Sequence, residues 1–278
     1  MELHRLRLAP LDSPPLTADD PDATVWHGGE RKPAVIAKRV GEWCWFRLGS
    51  LATYRFPLES PDLSVRCVAD PHPGRNPATV VDWYYRGVVP LALQVYGLEA
   101  MHGTAIDTSR GAVVMCGFSH AGKTTLTYAL SRRGHRVLAD DGLVIDVGGE
   151  GDVPALRPIP FALMIREPSA EHFGTPVRAK VMLDDDEASA ETVPRVPLAA
   201  VVVLNRVKDA ELELRLEPAT AAFTTLLQHS YAFTLADVER KSTMMAAYLR
   251  LANAVPVFTL TYPDGLERID TVAAVFDD

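Results

Sequence analysis

Residues 111–146 read GAVVMCGFSHAGKTTLTYALSRRGHRVLADDGLVID, and their pattern sets the expected architecture. A short apolar run at 112–116 precedes a glycine-bounded loop, and residues 123–133 then carry apolar side chains at helical spacing. Two further apolar runs, at 136–138 and 143–147, predict strands. Strands that alternate with a helix in this way are typical of an α/β core.

The loop between the first strand and the helix is the most informative motif of the chain. Its residues, Gly117-Phe118-Ser119-His120-Ala121-Gly122-Lys123-Thr124, fit the pattern G-x-x-x-x-G-K-[ST] in the strand-loop-helix setting that this pattern requires. Glycines let the backbone point successive N–H groups inward, and the start of a helix favours an anion. A glycine-rich turn with an incidental lysine is the alternative, and the complete motif favours a phosphate-binding loop.

The motif also assigns roles to its last residues. Lys123 is expected to reach the β- and γ-phosphates of a nucleotide, and the Thr124 hydroxyl is expected to bind Mg²⁺. We include the next residue, Thr125, in the predicted nucleotide site.

Two adjacent carboxylates, Asp140 and Asp141, directly follow the apolar stretch 137–139. We predict that this stretch is a parallel strand, whose end lies in the crevice where ligands bind. One carboxylate could then hold Mg²⁺ while the other accepts a proton from an attacking hydroxyl. An acidic surface turn before Gly142 is the alternative interpretation.

The rest of the chain predicts two domains, at 1–97 and 98–278. Residues 9–33 contain five prolines and predict a surface loop, and 34–69 predict a small antiparallel sheet. Residues 78–97 predict two short helices interrupted by Gly87 and Pro90. Prolines and an acidic run predict loops from 148 to 197. The final third predicts strands at 198–204, 211–216 and 255–261 and helices at 218–228 and 235–253.

Composition narrows the function classes. A formal net charge of −8, without a basic run, argues against nucleic-acid binding. The three cysteines show no CxxC spacing, so neither a disulfide framework nor a thiolate metal site is predicted. No stretch approaches the roughly 20 consecutive apolar residues that span a bilayer, and residues 1–8 do not read as a signal peptide. We therefore expect a cytoplasmic protein without membrane partners.

The stretch 111–146 closely resembles the catalytic domain of HPr kinase/phosphorylase and its HPr-kinase-related relatives, most specifically in RGHRVLADD, residues 133–141. That resemblance implies a fold with an HPr-kinase-like/PEP-carboxykinase-like P-loop core and a small β-rich N-terminal subdomain. It implies ATP and Mg²⁺ as cofactors, Asp141 as the base and Asp140 as a metal ligand. His102, followed by Gly103, stands where the family has a catalytic histidine beside the γ-phosphate; an ordinary strand histidine is the alternative.

Two departures limit the resemblance. Where bifunctional members have a glutamate-containing segment after the paired acids, this chain has Arg-Pro-Ile-Pro-Phe at 157–161, so no second metal ligand and no phosphorylase activity are implied. The family's Pro-Gly-Arg-Asn element lies near its C-terminus, whereas the same letters occur here at 73–76, and we interpret that match as coincidence. Arg157 and Arg166, which follow the paired acids, are candidate contacts of the γ-phosphate or the acceptor.

Residues 87–106, GVVPLALQVYGLEAMHGTAI, together with the β-rich start, resemble the HPr-kinase-related proteins found beside peptide natural-product pathways, including lasso-peptide kinases. We therefore expect an ATP- and Mg²⁺-dependent kinase that phosphorylates a hydroxyl of a peptide, a protein or a small alcohol. A nucleotide-binding regulator without efficient transfer and an NTP hydrolase are the alternatives. Because the N-terminal half looks unlike that of the hexameric family members, a monomer or dimer is expected.

Overall fold

The structure of the protein is a computed structural model, and it describes residues 4–27, 33–159, 163, 165–175, 195–231 and 238–277. The chain is mixed α/β, with two sheets and several helices. It divides into two compact units, one formed chiefly by residues up to Leu98 and the other chiefly by residues from Glu99 onward. The domain boundary between residues 97 and 98 stays a prediction.

The first unit is built on a six-stranded sheet of order β1-β6-β5-β4-β3-β2. β1 runs parallel to β6, and the other neighbouring strands are antiparallel. Two buried tyrosines fix helices to this sheet, because Tyr54 Oη donates to Val80 O at 3.0 Å and Tyr84 Oη donates to Val65 O at 3.1 Å. The elements are β1 (His4–Leu8), β2 (Thr24–His27), β3 (Pro33–Val40), β4 (Trp43–Leu48), β5 (Ala52–Pro57), β6 (Val65–Pro71), α1 (Pro77–Trp83), a π-helical turn (Tyr84–Val88) and α2 (Val89–Val95).

One prediction for this unit needs correction and another is confirmed. The stretch 9–33 is not all loop, because Thr24–His27 is rich in β-branched and aromatic residues and pairs with β3. The prediction of two short helices within 78–97 is confirmed, and the π-helical turn that joins them contains Gly87. Asn76, the last residue of the Pro-Gly-Arg-Asn match at 73–76, caps α1, since its Oδ1 accepts from Ala78 N at 2.9 Å.

The second unit contains a sheet of order β11-β10-β7-β8-β12-β14-β13, with β9 also paired to β7. β8, β12 and β14 run parallel to one another, and the remaining pairs are antiparallel. The elements are β7 (Glu99–Thr108), β8 (Gly111–Cys116), α3 (Lys123–Arg132), β9 (Val137–Ala139), β10 (Gly142–Asp146), β11 (Ala155–Leu156), α4 (Glu167–Phe173), β12 (Val196–Arg206), β13 (Glu213–Leu216), α5 (Ala219–Gln228), α6 (Val238–Ala254), β14 (Val257–Tyr262) and α7 (Ile269–Ala273), the last flanked by 3₁₀ turns at Leu266–Arg268 and Ala274–Phe276. Of α6, the part from Met244 onward belongs to this unit.

The centre of this sheet is buried on both faces, which explains why β8 reads as a continuous apolar run. Val114 and Cys116 belong to a core cluster that also contains Leu226 of α5 and Tyr248 of α6. Met115, which points the opposite way, packs in a second cluster with residues of α3 and α7. Packing on both faces therefore fixes β8, the strand from which the loop starts.

The strand before the paired acids was predicted to be parallel, and this prediction is wrong. β9 pairs with β7 in antiparallel register, with Ala105 opposite Ala139. β7 is a long strand that pairs antiparallel with β8 on its other side, so β9 follows the orientation set by this hairpin. The acids nevertheless lie beside the loop. The end of β9 pairs with β7 at Ala105, and the end of β8, where the loop starts, pairs with β7 at Gly103, so the two strand ends are neighbours across β7.

The region from 148 to 197, predicted to be loop, contains β11 and α4 in its described part. Pro168 stands in the first turn of α4, and Gly174 ends the helix with a φ of 62°. Proline is tolerated in a first helical turn and glycine favours the position after the last turn. The residues that interrupted the sequence period thus delimit a helix, while the acidic run at 184–187 lies outside the described residues.

No helix within the described ranges is long and apolar enough to cross a membrane.

Candidate active site

The loop between β8 and α3 depends on residues with left-handed backbone conformations. Gly117, His120 and Gly122 have φ values of 155°, 70° and 87°. A Cβ on Gly117 would lie 2.9 Å from Leu204 O of β12, so only glycine lets the loop pass this close to the neighbouring strand. His120 adopts its conformation without that freedom, and Arg166 Nη1 lies 2.9 Å from its Nδ1.

The loop encloses the side chain of its lysine. Lys123 Nζ donates to Gly117 O at 2.7 Å and to Phe118 O at 3.3 Å, and the side chain is almost fully buried. Burial lowers the pKa of Lys123. An ammonium group held by two loop carbonyls has given up most of its water, so an anionic ligand at the loop would meet a poorly solvated positive charge.

Thr124 and Asp140 form a pair of oxygen groups at the start of α3. Thr124 Oγ1 donates to Asp140 Oδ1 at 3.4 Å, and the Asp140 side chain is buried at the end of β9. A hydroxyl and a carboxylate are ligands that Mg²⁺ accepts. No group of three or more His, Cys, Asp or Glu residues in the described part of the chain could hold a metal ion. A magnesium ion here would take its remaining ligands from phosphates and water, as this ion commonly does.

Asp141 lies beside His102, which is on the neighbouring strand β7. The backbone of Asp141 has a φ of 70°, and its carbonyl oxygen accepts from Gly103 N at 3.3 Å and from Tyr231 Oη at 3.1 Å. His102 Nδ1 lies 2.9 Å from the same carbonyl and 3.4 Å from Asp141 Oδ1. The register explains the meeting, since His102 is opposite Gly142 in the pairing of β7 with β10.

The contacts of His102 also indicate its protonation. A carbonyl oxygen only accepts, so Nδ1 carries the proton and Nε2 is the acceptor of the neutral ring. Burial lowers the pKa of His102, and the charge of Lys123 lowers it further. The ring is therefore expected to be neutral near pH 7.

Two site residues, His229 and Tyr231, were missed by the sequence analysis. The chain after α5 pairs with β7, since His102 N donates to His229 O at 2.8 Å and Tyr231 N donates to Ala100 O at 2.8 Å. Tyr231 Oη then lies 3.1 Å from His102 Nδ1. No local signal identifies these residues, because every partner named here lies 90 or more positions away in sequence.

His229 is the most unusual of these groups. Its side chain is only 5% exposed, its ring centre lies 5.2 Å from that of Phe118 in the loop, and its Nε2 has no hydrogen-bond partner among the described residues. Burial and the charge of Lys123 lower its pKa. A buried polar atom without a partner is costly, which favours a ligand or water in this position.

The other candidates separate into those near the loop and those away from it. Arg166 contacts His120 and so stands beside the loop, whereas Arg157 pairs with Asp146 at 2.9 Å. Thr125 Oγ1 lies 2.9 Å from Ser169 Oγ of α4, which engages its hydroxyl with a helix rather than with the loop. Ser119 and Phe118 are exposed, and Ala121 is buried with its carbonyl accepting from Tyr262 Oη.

Comparisons with known proteins found similarity in structure but not in sequence. No family model matches the chain, and no curated protein matches it. A solved structure of the Hpr(Ser) kinase/phosphatase from Coxiella burnetii is similar at 15% identity and a TM-score of 0.33, covering 63% of this chain and 94% of that one. A superposition this weak identifies neither the fold family nor the activity of the chain.

Proposed function

We propose that this chain is an ATP- and Mg²⁺-dependent kinase that transfers a phosphoryl group to a hydroxyl acceptor. The observation that carries the proposal is one site in which a loop-enclosed Lys123 stands with two carboxylates of different surroundings. Asp140 is buried against Thr124, while the Asp141 side chain is 39% exposed beside His102. Phosphoryl transfer needs both a metal ligand and a group that receives the acceptor's proton.

The backbone conformation of the loop supports a role in binding the phosphates of a nucleotide. Its glycines allow backbone conformations that turn amides toward a ligand, and α3 begins directly at Lys123. Thr124 and Asp140 would hold Mg²⁺, which neutralises phosphate charge when bound. Lys123 would contact the phosphates from within the loop.

Asp141 is the better placed of the two carboxylates to act as a base. Its side chain reaches solvent, so an acceptor hydroxyl could approach it, whereas Asp140 is enclosed by protein. His102 and Tyr231 hold the Asp141 carbonyl and so fix the backbone from which the carboxylate projects. The finer assignment to an HPr-kinase-like fold, with a peptide or protein hydroxyl as acceptor, rests on the sequence resemblance.

Nucleotide binding is tested first by Lys123→Ala. The change removes the only lysine of the loop, so we expect affinity for a non-hydrolysable ATP analogue, measured by calorimetric titration with Mg²⁺, to be lost or nearly lost. Lys208→Ala, at an exposed turn, is the matched control and should bind as the wild type does. Unchanged affinity in Lys123→Ala would show that the loop is not the nucleotide site.

The roles of the acids are tested by Asp141→Asn and Asp140→Asn. Asp141→Asn should keep ATP binding and slow transfer about 10²- to 10⁴-fold, because an amide cannot accept a proton. Asp140→Asn should raise the Mg²⁺ concentration required. Asp209→Asn is a matched control, since Asp209 is exposed and has a left-handed φ of 58° like that of Asp141. If Asp141→Asn transfers phosphate at the wild-type rate, Asp141 is not the base.

The fate of the γ-phosphate separates the proposal from its alternatives. The protein is incubated with γ-labelled ATP and the products of neighbouring genes. Label on an acceptor identifies a kinase, release as inorganic phosphate identifies a hydrolase, and intact ATP identifies a binding protein.

A further inference from the structure

The outer strand of the second sheet, β13, presents an unusual row of apolar side chains. Within the described ranges β13 has a hydrogen-bonded strand on one side only, namely β14. Leu212, Leu214 and Leu216 alternate along this edge and are 39%, 45% and 60% exposed. Exposed edge strands that carry apolar side chains invite pairing with another strand, and monomeric proteins usually protect them. This edge, residues 211–217, is here called the leucine edge.

The backbone of the leucine edge has groups directed away from the sheet. Glu217 N donates to Val257 O at 2.8 Å, and the register pairs Leu216 with Phe258. Because antiparallel strands alternate their bonding direction residue by residue, the N–H and C=O groups of Leu214 and Leu216 point away from β14. They are placed to bond a further antiparallel strand.

The sequence of this edge is complementary to itself. Residues 211–217 read ELELRLE. When two copies run antiparallel with Leu214 opposite Leu214, Glu213 of each copy lies opposite Arg215 of the other, and the flanking leucines also face each other. Opposite charges across a strand pair stabilise it and like charges destabilise it. The outermost residues, Glu211 and Glu217, also face each other in this register. Centring the pair on 215 instead places Arg215 opposite itself and Glu213 opposite Glu217. Centring it on 213 places Glu213 opposite itself at the two-fold axis, with Glu211 opposite Arg215.

The surroundings of the edge are compatible with this register. Glu217, which would face Glu211 of the second copy, already accepts from Thr259 Oγ1 at 2.6 Å and pairs with Arg215 at 2.7 Å. A pocket of about 680 Å³, lined in part by Leu214 and Phe258, adjoins the leucine face. Its lining combines apolar residues with charged ones such as Asp107 and Arg136, so the side chains of a second copy would meet a mixed surface beside the edge.

We propose that two copies of this chain associate through the leucine edge as a two-fold symmetric dimer with one continuous sheet. The symmetric arrangement uses the same surface of both copies, as most dimers do. It makes the prediction of a monomer or dimer specific, and it does not depend on the proposed kinase activity.

The test is a charge exchange across the proposed pair in the full chain. Light scattering over a range of protein concentrations measures the dimer dissociation constant. We expect a dimer in the wild type and an increase in this constant on the order of ten- to a hundred-fold in Arg215→Glu and in Glu213→Arg, each of which creates two like-charge pairs. The double variant Glu213→Arg/Arg215→Glu restores opposite charges and should return most of the lost affinity.

Arg215→Glu also breaks the ion pair with Glu217 inside one copy. Glu217→Gln is the control: it removes this ion pair together with the Glu211–Glu217 like-charge contacts of the proposed dimer, so it should not weaken association. Circular dichroism and thermal unfolding should show that each variant is folded. A wild type that stays monomeric at its highest soluble concentration overturns the proposal. The proposal is also overturned if the single exchanges leave the dimer dissociation constant unchanged, or if the double variant does not restore it. Association would then use another surface.

Discussion

Gly122, the residue before α3, connects the loop's conformation to a buried tyrosine. An alanine at its φ of 87° costs about 1–2 kcal/mol from left-handed backbone strain. Its Cβ would also lie 2.6 Å from Tyr262 Oη. Tyr262 is buried and its hydroxyl donates to Ala121 O, so the ring cannot move away freely. Relieving such an overlap costs about 1–3 kcal/mol, and Gly122→Ala should therefore lose about 2–5 kcal/mol of unfolding free energy.

Two further variants separate these contributions. Gly134→Ala has a similar φ of 95° and no atom within 4 Å of the new Cβ, so it should show the backbone cost alone, about 1–2 kcal/mol. Tyr262→Phe alone loses one hydrogen bond, about 0.5–1.5 kcal/mol. Combined with Gly122→Ala it also removes the overlapping oxygen. The double variant should therefore lose about 1–3 kcal/mol less unfolding free energy than the sum of the two single losses.

Urea unfolding followed by circular dichroism measures each loss, and titration with an ATP analogue measures the loop. Gly122→Ala should weaken analogue binding, whereas Gly134→Ala, at the far end of α3, should not. A Gly122→Ala variant no less stable than Gly134→Ala, or a strictly additive double variant, would refute the overlap with Tyr262.

Two more predictions concern buried groups of the second unit. Burial and the charge of Lys123 lower the pKa of His229 from its ordinary 6.5, so the unfolded chain takes up a proton first as the pH falls. The stability that this residue contributes is complete above about pH 6.5 and is lost as the pH falls below it. His229→Asn should therefore flatten the fall in melting temperature between about pH 8 and pH 5. An equally steep fall in the variant would exclude His229 as its cause. Thr127 Oγ1 donates to Thr104 Oγ1 at 2.7 Å with both side chains fully buried, so Thr127→Val should cost about 1–3 kcal/mol in urea unfolding, and Thr104→Val/Thr127→Val should cost less than that single change. A double variant as costly as two independent losses would contradict this pairing.

Much of the second unit could be anticipated because its signals are local. β8 and α3 lie where the apolar pattern of 111–146 places them, and Gly117 and Gly122 have the positive φ values for which glycine is suited. Local patterns were less informative where a residue type, such as proline or glycine, occurs both in loops and at helix boundaries. The prolines and glycine around α4 read as loop, although Pro168 and Gly174 are acceptable boundaries of a helix.

A strand, a glycine-bounded loop and a helix could be predicted in this order, with Lys123 and Thr124 at the start of the helix, because each of these features depends on neighbours within a few residues. The atoms of distant residues that meet at this site are set by the tertiary fold, although the family resemblance had already placed His102 there. The antiparallel register of β7 with β10 brings His102 to Asp141, and the pairing of residues 229–231 with β7 adds Tyr231 and His229. Strand register joins positions far apart in the chain, and the pattern of one sequence carries no record of such a pairing.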